Sequence, residues 1–304
     1  MTTIVVGTDL SDNALDAAQW AFGLARLDDT DPSTTVLVAH VVGADEMQLR
    51  RTISDHSEAK ERRTLTRQVD NWLDDVDTTD VDYEIEIDVG RQARSLAGLV
   101  ERHDADWLVV GKSGRGRLRR LFVGSTTEHL AMRPPCPMAI IHPDGFKWNS
   151  PAEVLAAVDL SKSATDAAAC GAELVRHHGG HLTLLHVISL PQSTLPTIGD
   201  GAPYPETLAE HVDESRRWAR EELDATLSDH RVSFDDLSPT IDVRPGYPIH
   251  EVLNTIEDLD VNLLTLGSQG RSRLAEFVLG GIGRSLLKKA PCSIILAPPS
   301  RDDS

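Results

Sequence analysis

The stretch "IVVGTDLSDNALDAAQWA" at residues 4–21 returns in altered form as "VLAAVDLSKSATDAAACG" at residues 154–171. Each copy starts with a short apolar run, continues through Asp-Leu-Ser and ends in an alanine-rich stretch of helical length. A β-branched run followed by such a stretch is typical of a βα unit in a parallel sheet. The repeated pattern therefore predicts an α/β fold that occurs twice along the chain.

The repetition continues in the same order along the rest of the chain. Three further segments recur: "VLVAHVV" (36–42) as "LTLLHVI" (182–188), "ADWLVVGKSGRGRL" (105–118) as "VNLLTLGSQGRSRL" (261–274), and "PPCPMAIIHP" (134–143) as "APCSIILAPP" (290–299). A tandem duplication explains this order, and 304 residues suit two domains. We expect domains at 1–145 and 152–299, a linker at 146–151 and a tail at 300–304.

Apolar runs alternate with charged or alanine-rich stretches within each half, as βα units require. In the first half we predict strands near 3–8, 35–42, 83–89, 106–111 and 137–142, and helices near 12–27, 45–77, 91–103 and 126–133. The second half is predicted to repeat them.

The chain is strongly acidic, with a formal net charge of -18 from 48 acidic and 30 basic residues. Such a surface disfavours binding to nucleic acid and to anionic membranes. Few of the basic residues are lysine, and a charged, lysine-poor surface is typical of a halophilic protein because salt screens its self-repulsion. The alternative is an ordinary acidic soluble protein.

The three cysteines, Cys136, Cys170 and Cys292, form neither a CxxC pair nor an even set. They predict no disulfide framework and no zinc site, and we expect Cys136 and Cys292 to be buried. The amino terminus lacks a basic region before its apolar run, and no run reaches about 18 apolar residues. These features predict a cytoplasmic chain.

The stretch "GKSGRGRLRRLFVGST" at residues 111–126 combines glycines, basic residues and a Ser-Thr pair. A Walker A loop would need glycine at position 106, where the chain has Asp106. The spacing of Gly111, Gly114 and Gly124, with Ser125 opening a helix, instead predicts an anion site, because helix N-termini offer free N–H groups. Lys112 and the basic residues at 115, 117, 119 and 120 are expected to add positive charge. The alternative is a set of turn glycines and solvated arginines.

The pattern G-x2-G-x9-G-[ST] at Gly111, Gly114, Gly124 and Ser125 occurs together with "VGTDLS", "AHVV" and "PPCPMAII". This combination resembles the universal stress protein family over almost the whole chain. The resemblance implies two tandem Rossmann-like domains of the adenine nucleotide α-hydrolase-like type. Each would have a five-stranded parallel sheet of order 3-2-1-4-5 flanked by helices, with ATP held at the tips of strands 1 and 4.

The resemblance also implies a set of nucleotide-binding residues in the first domain. They are Thr8 and Asp9 beside the nucleotide, Val41 at the adenine, Val110 and Gly111 at the base and ribose, and Gly114, Arg115, Gly124, Ser125, Thr126 and Thr127 at the phosphates. A capping role before the first helix is the alternative for Asp9. The resemblance supplies no catalytic residues and no direct metal ligands: ATP is expected to bring Mg²⁺ or Mn²⁺ with it, and Asp9 to help hold such an ion only indirectly.

The second copy departs from this pattern. The corresponding residues are Asp159, Val187, Gly267, Gly270, Gly280 and Gly281. Gly281 replaces the hydroxyl of Ser125, and Gly283 stands in place of Thr127. Since each lost hydrogen bond to a charged group weakens binding by about ten- to a hundredfold, we expect a weak or empty second site.

These inferences predict a tandem universal stress protein that binds ATP mainly in its first domain. It would be a regulatory or protective module of the stress response with at most slow ATP hydrolysis. The alternatives are an ATP-dependent nucleotidyl-transfer enzyme and a nucleotide-free interaction scaffold. By resemblance, "MAIIH" (138–142) and "SIILA" (293–297) are expected to pair as an internal pseudo-dimer, and a homodimer of the whole chain is also compatible.

Overall fold

The computed structural model describes residues 2–27, 34–54, 57–113, 122–189, 206–228, 234, 236–268 and 279–298. Within these ranges the first half contains five strands and five helices. The strands are β1 (Thr3–Thr8), β2 (Thr35–Val42), β3 (Asp82–Val89), β4 (Trp107–Gly111) and β5 (Met138–Ile141). The helices are α1 (Asp12–Leu27), α2 (Ala44–Ser54), α3 (Glu58–Leu73), α4 (Gln92–Arg102) and α5 (Ser125–Met132).

The second half repeats this order of elements, with a single described helix between its second and third strands. Its strands are β6 (Ala152–Ala157), β7 (Gly180–Ser189), β8 (Thr240–Gly246), β9 (Leu263–Gly267) and β10 (Ser293–Ala297). Its helices are α6 (Lys162–His178), α7 (Glu206–Ser228), α8 (Pro248–Asp258) and α9 (Gly281–Lys289).

All ten strands belong to one sheet of order β3-β2-β1-β4-β5-β10-β9-β6-β7-β8. The strands within each half are parallel, and the halves meet where β5 and β10 run antiparallel, with Ile140 opposite Ile294 and Met138 opposite Leu296. The order within each half is therefore 3-2-1-4-5 in that half's own numbering. The predicted α/β class is confirmed, and the two segments expected to form the pseudo-dimer contact are hydrogen-bonded neighbours.

Both faces of the sheet are covered, because apolar side chains alternate between them along each strand. On one face Val6 of β1 packs with Ala17 and Phe22 of α1 and with Leu65 of α3. On the opposite face Val5 packs with other helices of the same half, through residues such as Leu99 of α4. The result is a three-layered α/β/α arrangement in which ligand sites are expected beyond the carboxyl ends of the strands.

Helices α5 and α9 extend the contact between the halves. Lys288 Nζ lies 2.8 Å from Glu128 Oε1, and Arg284 Nη2 lies 3.2 Å from Met132 Sδ. Residues 284 and 288 are the repeat partners of 128 and 132, so the two contacts exchange partners, as in an isologous two-fold interface. The two halves thus meet as a symmetric dimer would.

The segment predicted as a linker is packed into the fold. Phe146 is 1 % exposed, and the Trp148 ring Nε1–H donates a 3.0 Å hydrogen bond to the Trp20 carbonyl of α1. The Trp148 ring also packs edge-on against His178, at the end of α6 in the second half. Residues 146–148 therefore contact both halves.

One predicted element differs from the structure. The single helix expected at 45–77 is two helices, α2 and α3. Ser57 has an extended backbone, and its carbonyl accepts hydrogen bonds from the N–H groups of Lys60 and Glu61. Serine is favoured at helix starts, and this signal inside a long polar run was missed.

Candidate functional site

A cleft of about 660 Å³ opens at the carboxyl ends of β1, β2 and β4 in the first half. It lies between β1 and β4, where the order of the strands across the sheet reverses. This is the usual ligand position in an open parallel sheet. Strand ends form its floor, and the starts of α4 and α5 form part of its walls.

The loop after β1 forms one edge of the cleft. Leu10 has a left-handed backbone with φ of 62°, and its N–H donates to the Thr8 hydroxyl at 2.9 Å. The Asp9 carboxylate accepts from the Ser11 N–H at 3.1 Å, and the Ser11 hydroxyl accepts from Ala14 N–H at the start of α1. Ser11 thus caps the helix, while Asp9 holds the loop before it and lines the cleft.

His40 fastens the end of β2 to the end of β1 beneath the cleft. Its Nδ1 lies 2.9 Å from the Thr8 carbonyl oxygen. A carbonyl only accepts hydrogen bonds, so Nδ1 carries the proton. The next residue, Val41, is nearly buried and lines the cleft. His40 is therefore a buried support of the site.

Asn13 holds the loop after β4, and this residue was not among those predicted. Its side-chain oxygen accepts from the Ser113 N–H at 2.9 Å, and its amide donates to the Ile141 carbonyl at 3.0 Å. A Cβ on Gly111 would lie 2.9 Å from the Asn13 carbonyl oxygen. Gly111 is thus required by the close approach of α1, irrespective of any ligand.

The start of α5 is fastened to the same loop by two hydrogen bonds. The Gly124 N–H donates to the Lys112 carbonyl at 2.8 Å, and the Thr127 hydroxyl donates to the Gly111 carbonyl at 2.8 Å. Because Thr127 is engaged in this way, the hydroxyls of Ser125 and Thr126 are the side-chain donors that the helix start presents to the cleft.

Nine of the predicted residues line this one cleft: Thr8, Asp9, Val41, Val110, Gly111, Gly124, Ser125, Thr126 and Thr127. Gly114 and Arg115 lie outside the described residues. The cleft is also lined by Ser113, Glu46, Arg50 and Gln92, which the sequence did not single out. Glu46 and Arg50 form an ion pair of 2.8 Å one helical turn apart on α2.

Lys112 does not supply charge to the cleft, and this expectation was wrong. The side chain is 3 % exposed and crosses to the second half, where Nζ donates to the Ala290 carbonyl at 2.5 Å. Burial lowers the pKa of its amine, because the charged form loses its hydration. The basic residues at 115, 117, 119 and 120 lie outside the described part of the chain.

The model of the universal stress protein family matches residues 1–142 and 152–298. The chain belongs to the universal stress protein family. It is 28 % identical over 201 residues to a universal stress protein of Mycobacterium tuberculosis, a match that covers 65 % of this chain and 63 % of that relative. A universal stress protein of Mycolicibacterium smegmatis matches 97 % of both chains at 24 % identity.

Solved structures show the same fold. The crystal structure of a universal stress protein from Archaeoglobus fulgidus matches with a TM-score of 0.65, covers 98 % of both chains and is 17 % identical in sequence. This similarity concerns the fold alone. Together with the family match, it makes the chain a pair of tandem universal stress protein domains.

The second universal stress protein domain keeps the supports of the first but not its donors. His186 Nδ1 donates to the Val158 carbonyl at 2.7 Å, as His40 does to Thr8. The Asp159 carboxylate accepts from the Ser161 N–H at 3.1 Å, as Asp9 does from Ser11. Val158, however, has no hydroxyl in place of that of Thr8. The strand and loop framework is therefore repeated, but Val158 cannot accept the hydrogen bond that the Thr8 hydroxyl accepts from the Leu10 N–H.

Most of the hydroxyl groups that the second domain lacks would lie at the start of α9. Gly280 is its N-cap and Gly281 its first residue, where the first domain has Gly124 and Ser125. A Cβ on Gly283 would lie 2.6 Å from Leu279 Cδ1, so Leu279 occupies space that the threonine of the first domain would need. Gly267 ends β9 and Val187 lies on β7, whereas Gly270 lies outside the described residues.

Three further properties of the described residues bear on function. Among them no cluster of His, Cys, Asp or Glu side chains is arranged to hold a metal ion. No helix in these ranges has the length and apolarity that crossing a membrane requires. Cys136 and Cys292 are buried, and burial raises the pKa of the Cys292 thiol to about 12, which makes it a poor nucleophile.

Proposed function

We propose that this universal stress protein binds ATP in its first domain, 1–145, and acts as a nucleotide-dependent regulatory or protective module of the stress response. The observation that carries the proposal is the convergence of nine predicted residues on one cleft of about 660 Å³. Its volume lies in the range of small-molecule sites, about 300–1,000 Å³.

The phosphate end of the ligand is assigned to the start of α5. The first N–H groups of a helix have no partner within it, and α5 makes its first backbone hydrogen bond from Glu128 to Gly124. Ser125 and Thr126 add hydroxyl donors. Backbone amides and hydroxyls together suit a phosphate, since the helix dipole also favours negative charge there.

The base end is assigned to the strand tips. Val41, Val110 and Leu96 give this part of the cleft an apolar lining, and the backbone of Val41 can supply the hydrogen bonds that distinguish adenine. Asp9 stands between the two ends. With a divalent cation on the phosphates, such as Mg²⁺ or Mn²⁺, its carboxylate would act through water, because the described residues hold no ready cluster of ligands.

In this proposal the module switches or protects by binding, with at most slow hydrolysis. An ATP-dependent nucleotidyl transferase is the enzymatic alternative, but the sequence contains neither an SGGxDS loop nor a HIGH/KMSKS pair. A nucleotide-free scaffold is the other alternative. The second domain, 152–299, is assigned a weak or empty site, because Gly281 and Ile282 stand where the first domain has the hydroxyls of Ser125 and Thr126.

Mass spectrometry of the nucleotide released from the purified chain, followed by calorimetric titration with ATP, tests the proposal. We expect one strong site per chain. The variant Ser125→Ala with Thr126→Val removes two donors but keeps the backbone, so it should weaken ATP binding by about ten- to a hundredfold per lost bond. Ser285→Ala on α9 is the matched control, since its hydroxyl donates to the Gly281 carbonyl.

Retained ATP with a selective effect of the Ser125/Thr126 variant would support the proposal. The absence of both retained nucleotide and binding heat, with Mg²⁺ or Mn²⁺ present, would overturn it in favour of the scaffold. Rapid production of pyrophosphate with an acceptor substrate would instead favour the transferase.

A further inference from the structure

A second cavity, of about 840 Å³, lies in the groove between α4 and α5 of the first domain. It runs beside α5 from Ser125 to Arg133, the residue that follows the helix. The eight residues of α5 make this groove about 12 Å long at 1.5 Å per residue.

The composition of the cavity wall is unusual for this acidic chain. Its base is apolar, with Ala93, Ala97 and Leu130. Arg91, Arg94 and Arg133 lie at its margin, and no acidic side chain is among its described lining residues. In a protein of net charge -18, three arginines around an apolar base make this groove suited to an anion that carries an apolar, flat group. Arginine both pairs with phosphate and stacks on planar rings.

This cavity and the nucleotide cleft share a wall. Gln92, Ser125 and Thr126 line both of them. In the proposed binding mode the phosphates end at Ser125 and Thr126. A group attached to the terminal phosphate would therefore continue past the start of α5 into the second cavity.

We propose that the ligand of the first domain is a dinucleoside polyphosphate, and that the α4/α5 cavity holds its second nucleoside. This inference rests on the proposed nucleotide function and names the ligand class of that site. One adenosine occupies the cleft at the strand tips, and the phosphates cross the start of α5. The second base lies on Ala97 and Leu130, with the guanidinium groups of Arg91 and Arg94 beside the phosphates and the ring.

The second domain does not repeat these features. The residues corresponding to Arg91 and Arg94 are Tyr247 and His250, whose rings pack against each other at 5.8 Å. The position of Ser125 is Gly281. The extended site is thus specific to the domain in which the phosphate donors are also present.

Calorimetric titration of the full chain with ATP and with di(adenosine) tetraphosphate tests the inference. ATP has three phosphates and di(adenosine) tetraphosphate four, whereas their formal charges near neutral pH are similar. A difference in affinity therefore reports the fourth phosphate together with the second nucleoside, and variants of the second cavity assign it to that cavity. We expect the tetraphosphate to bind about ten- to a hundredfold tighter than ATP, as one or two added contacts to charged groups would give.

The variants Arg94→Gln and Arg133→Gln should remove this preference and leave ATP affinity within about threefold, because the residues lie in the second cavity only. Arg217→Gln, an exposed residue on α7, is the control for loss of one charge. All these side chains are exposed, so folding is expected to persist, and circular dichroism checks it.

A preference for the tetraphosphate that disappears in Arg94→Gln but not in Arg217→Gln would support the inference. ATP binding without such a preference, or with a preference that the cavity variants leave intact, would overturn it while the proposed function stands. If neither ligand binds, the proposed function falls and the inference falls with it.

Discussion

Replacing Trp148 by alanine tests whether the segment joining the two domains is a structural element or a tether. The Trp148 ring lies 4.9 Å from Phe146, 5.7 Å from Trp20 and 5.2 Å from His178, centre to centre. Its Nε1–H donates to the Trp20 carbonyl. The substitution would remove all four contacts at once, from both domains.

The expected loss in the free energy of unfolding follows from these four contacts. Three ring pairs at roughly 0.5–1.5 kcal/mol each and one hydrogen bond at roughly 0.5–1.5 kcal/mol sum to about 2–6 kcal/mol. Because the ring is only partly buried, we expect a loss of about 3 kcal/mol in the free energy of unfolding, the lower end for a Trp-to-Ala change.

Equilibrium unfolding in urea, followed by far-UV circular dichroism, measures this loss without relying on tryptophan fluorescence. Trp218→Ala is the matched control. Trp218 lies on α7 and is 50 % exposed, so this substitution should change the free energy of unfolding by no more than about 0.5 kcal/mol. Equal destabilisation by the two substitutions would refute the reasoning.

Gly23→Ala provides an independent check on the same contact. Alanine normally stabilises a helix relative to glycine by about 0.8–1.0 kcal/mol. A Cβ on Gly23 would lie 2.0 Å from Trp148 Nε1, so the ring would have to move. We therefore expect this substitution to destabilise the chain, and a gain in stability would contradict the packing described for residue 148.

Three further results are expected. The double variant Gly281→Ser/Ile282→Thr should strengthen nucleotide binding by the second domain by about tenfold or more in calorimetry, because no atom lies within 4 Å of a Cβ at 281; unchanged binding would show that other losses dominate. Lys112→Met should make the free energy of unfolding less dependent on pH in the alkaline range. Burial lowers the pKa of the Lys112 amine in the folded chain, so the unfolded chain binds more protons. The free energy of unfolding of the wild type, relative to that of the variant, should therefore rise with pH up to about 10.4, by at most about 1.4 kcal/mol per pH unit. A flat difference in urea unfolding between neutral and alkaline pH would contradict this. Finally, thermal unfolding should shift to higher temperature as salt reduces the Debye length from about 10 Å at 0.1 M to about 3 Å at 1 M, since the net charge is -18; no shift would argue against salt adaptation.

The fold was predictable because it depends on patterns that repeat along the chain. Apolar runs at 35–42 and 107–111 are strands because both faces of a parallel sheet are buried. The glycine spacing and the Ser-Thr pair located the start of α5, because helix starts and strand ends have local sequence signatures.

The remaining features depend on contacts between distant residues. Nothing next to Lys112 in the sequence indicates that its amine reaches Ala290, 178 residues away. Asn13 holds a loop 100 residues distant, although its place beside Ser11 at a helix start was a usable signal. Trp148 appeared to belong to a linker, because its partners Trp20 and His178 come together only in the folded chain.

The antiparallel pairing of β5 with β10 has a consequence for how the two domains evolve and act. Covalent joining keeps them at a fixed one-to-one ratio and at a high effective concentration, so the pair does not separate on dilution as two independent chains would. Each half can also change without imposing the same change on its partner, which a homodimer of identical chains does not allow. Gly281 and Gly283, at the repeat positions of Ser125 and Thr127, are such a divergence: one half keeps the polar groups at its helix start, and the other keeps the helix that its neighbour packs against.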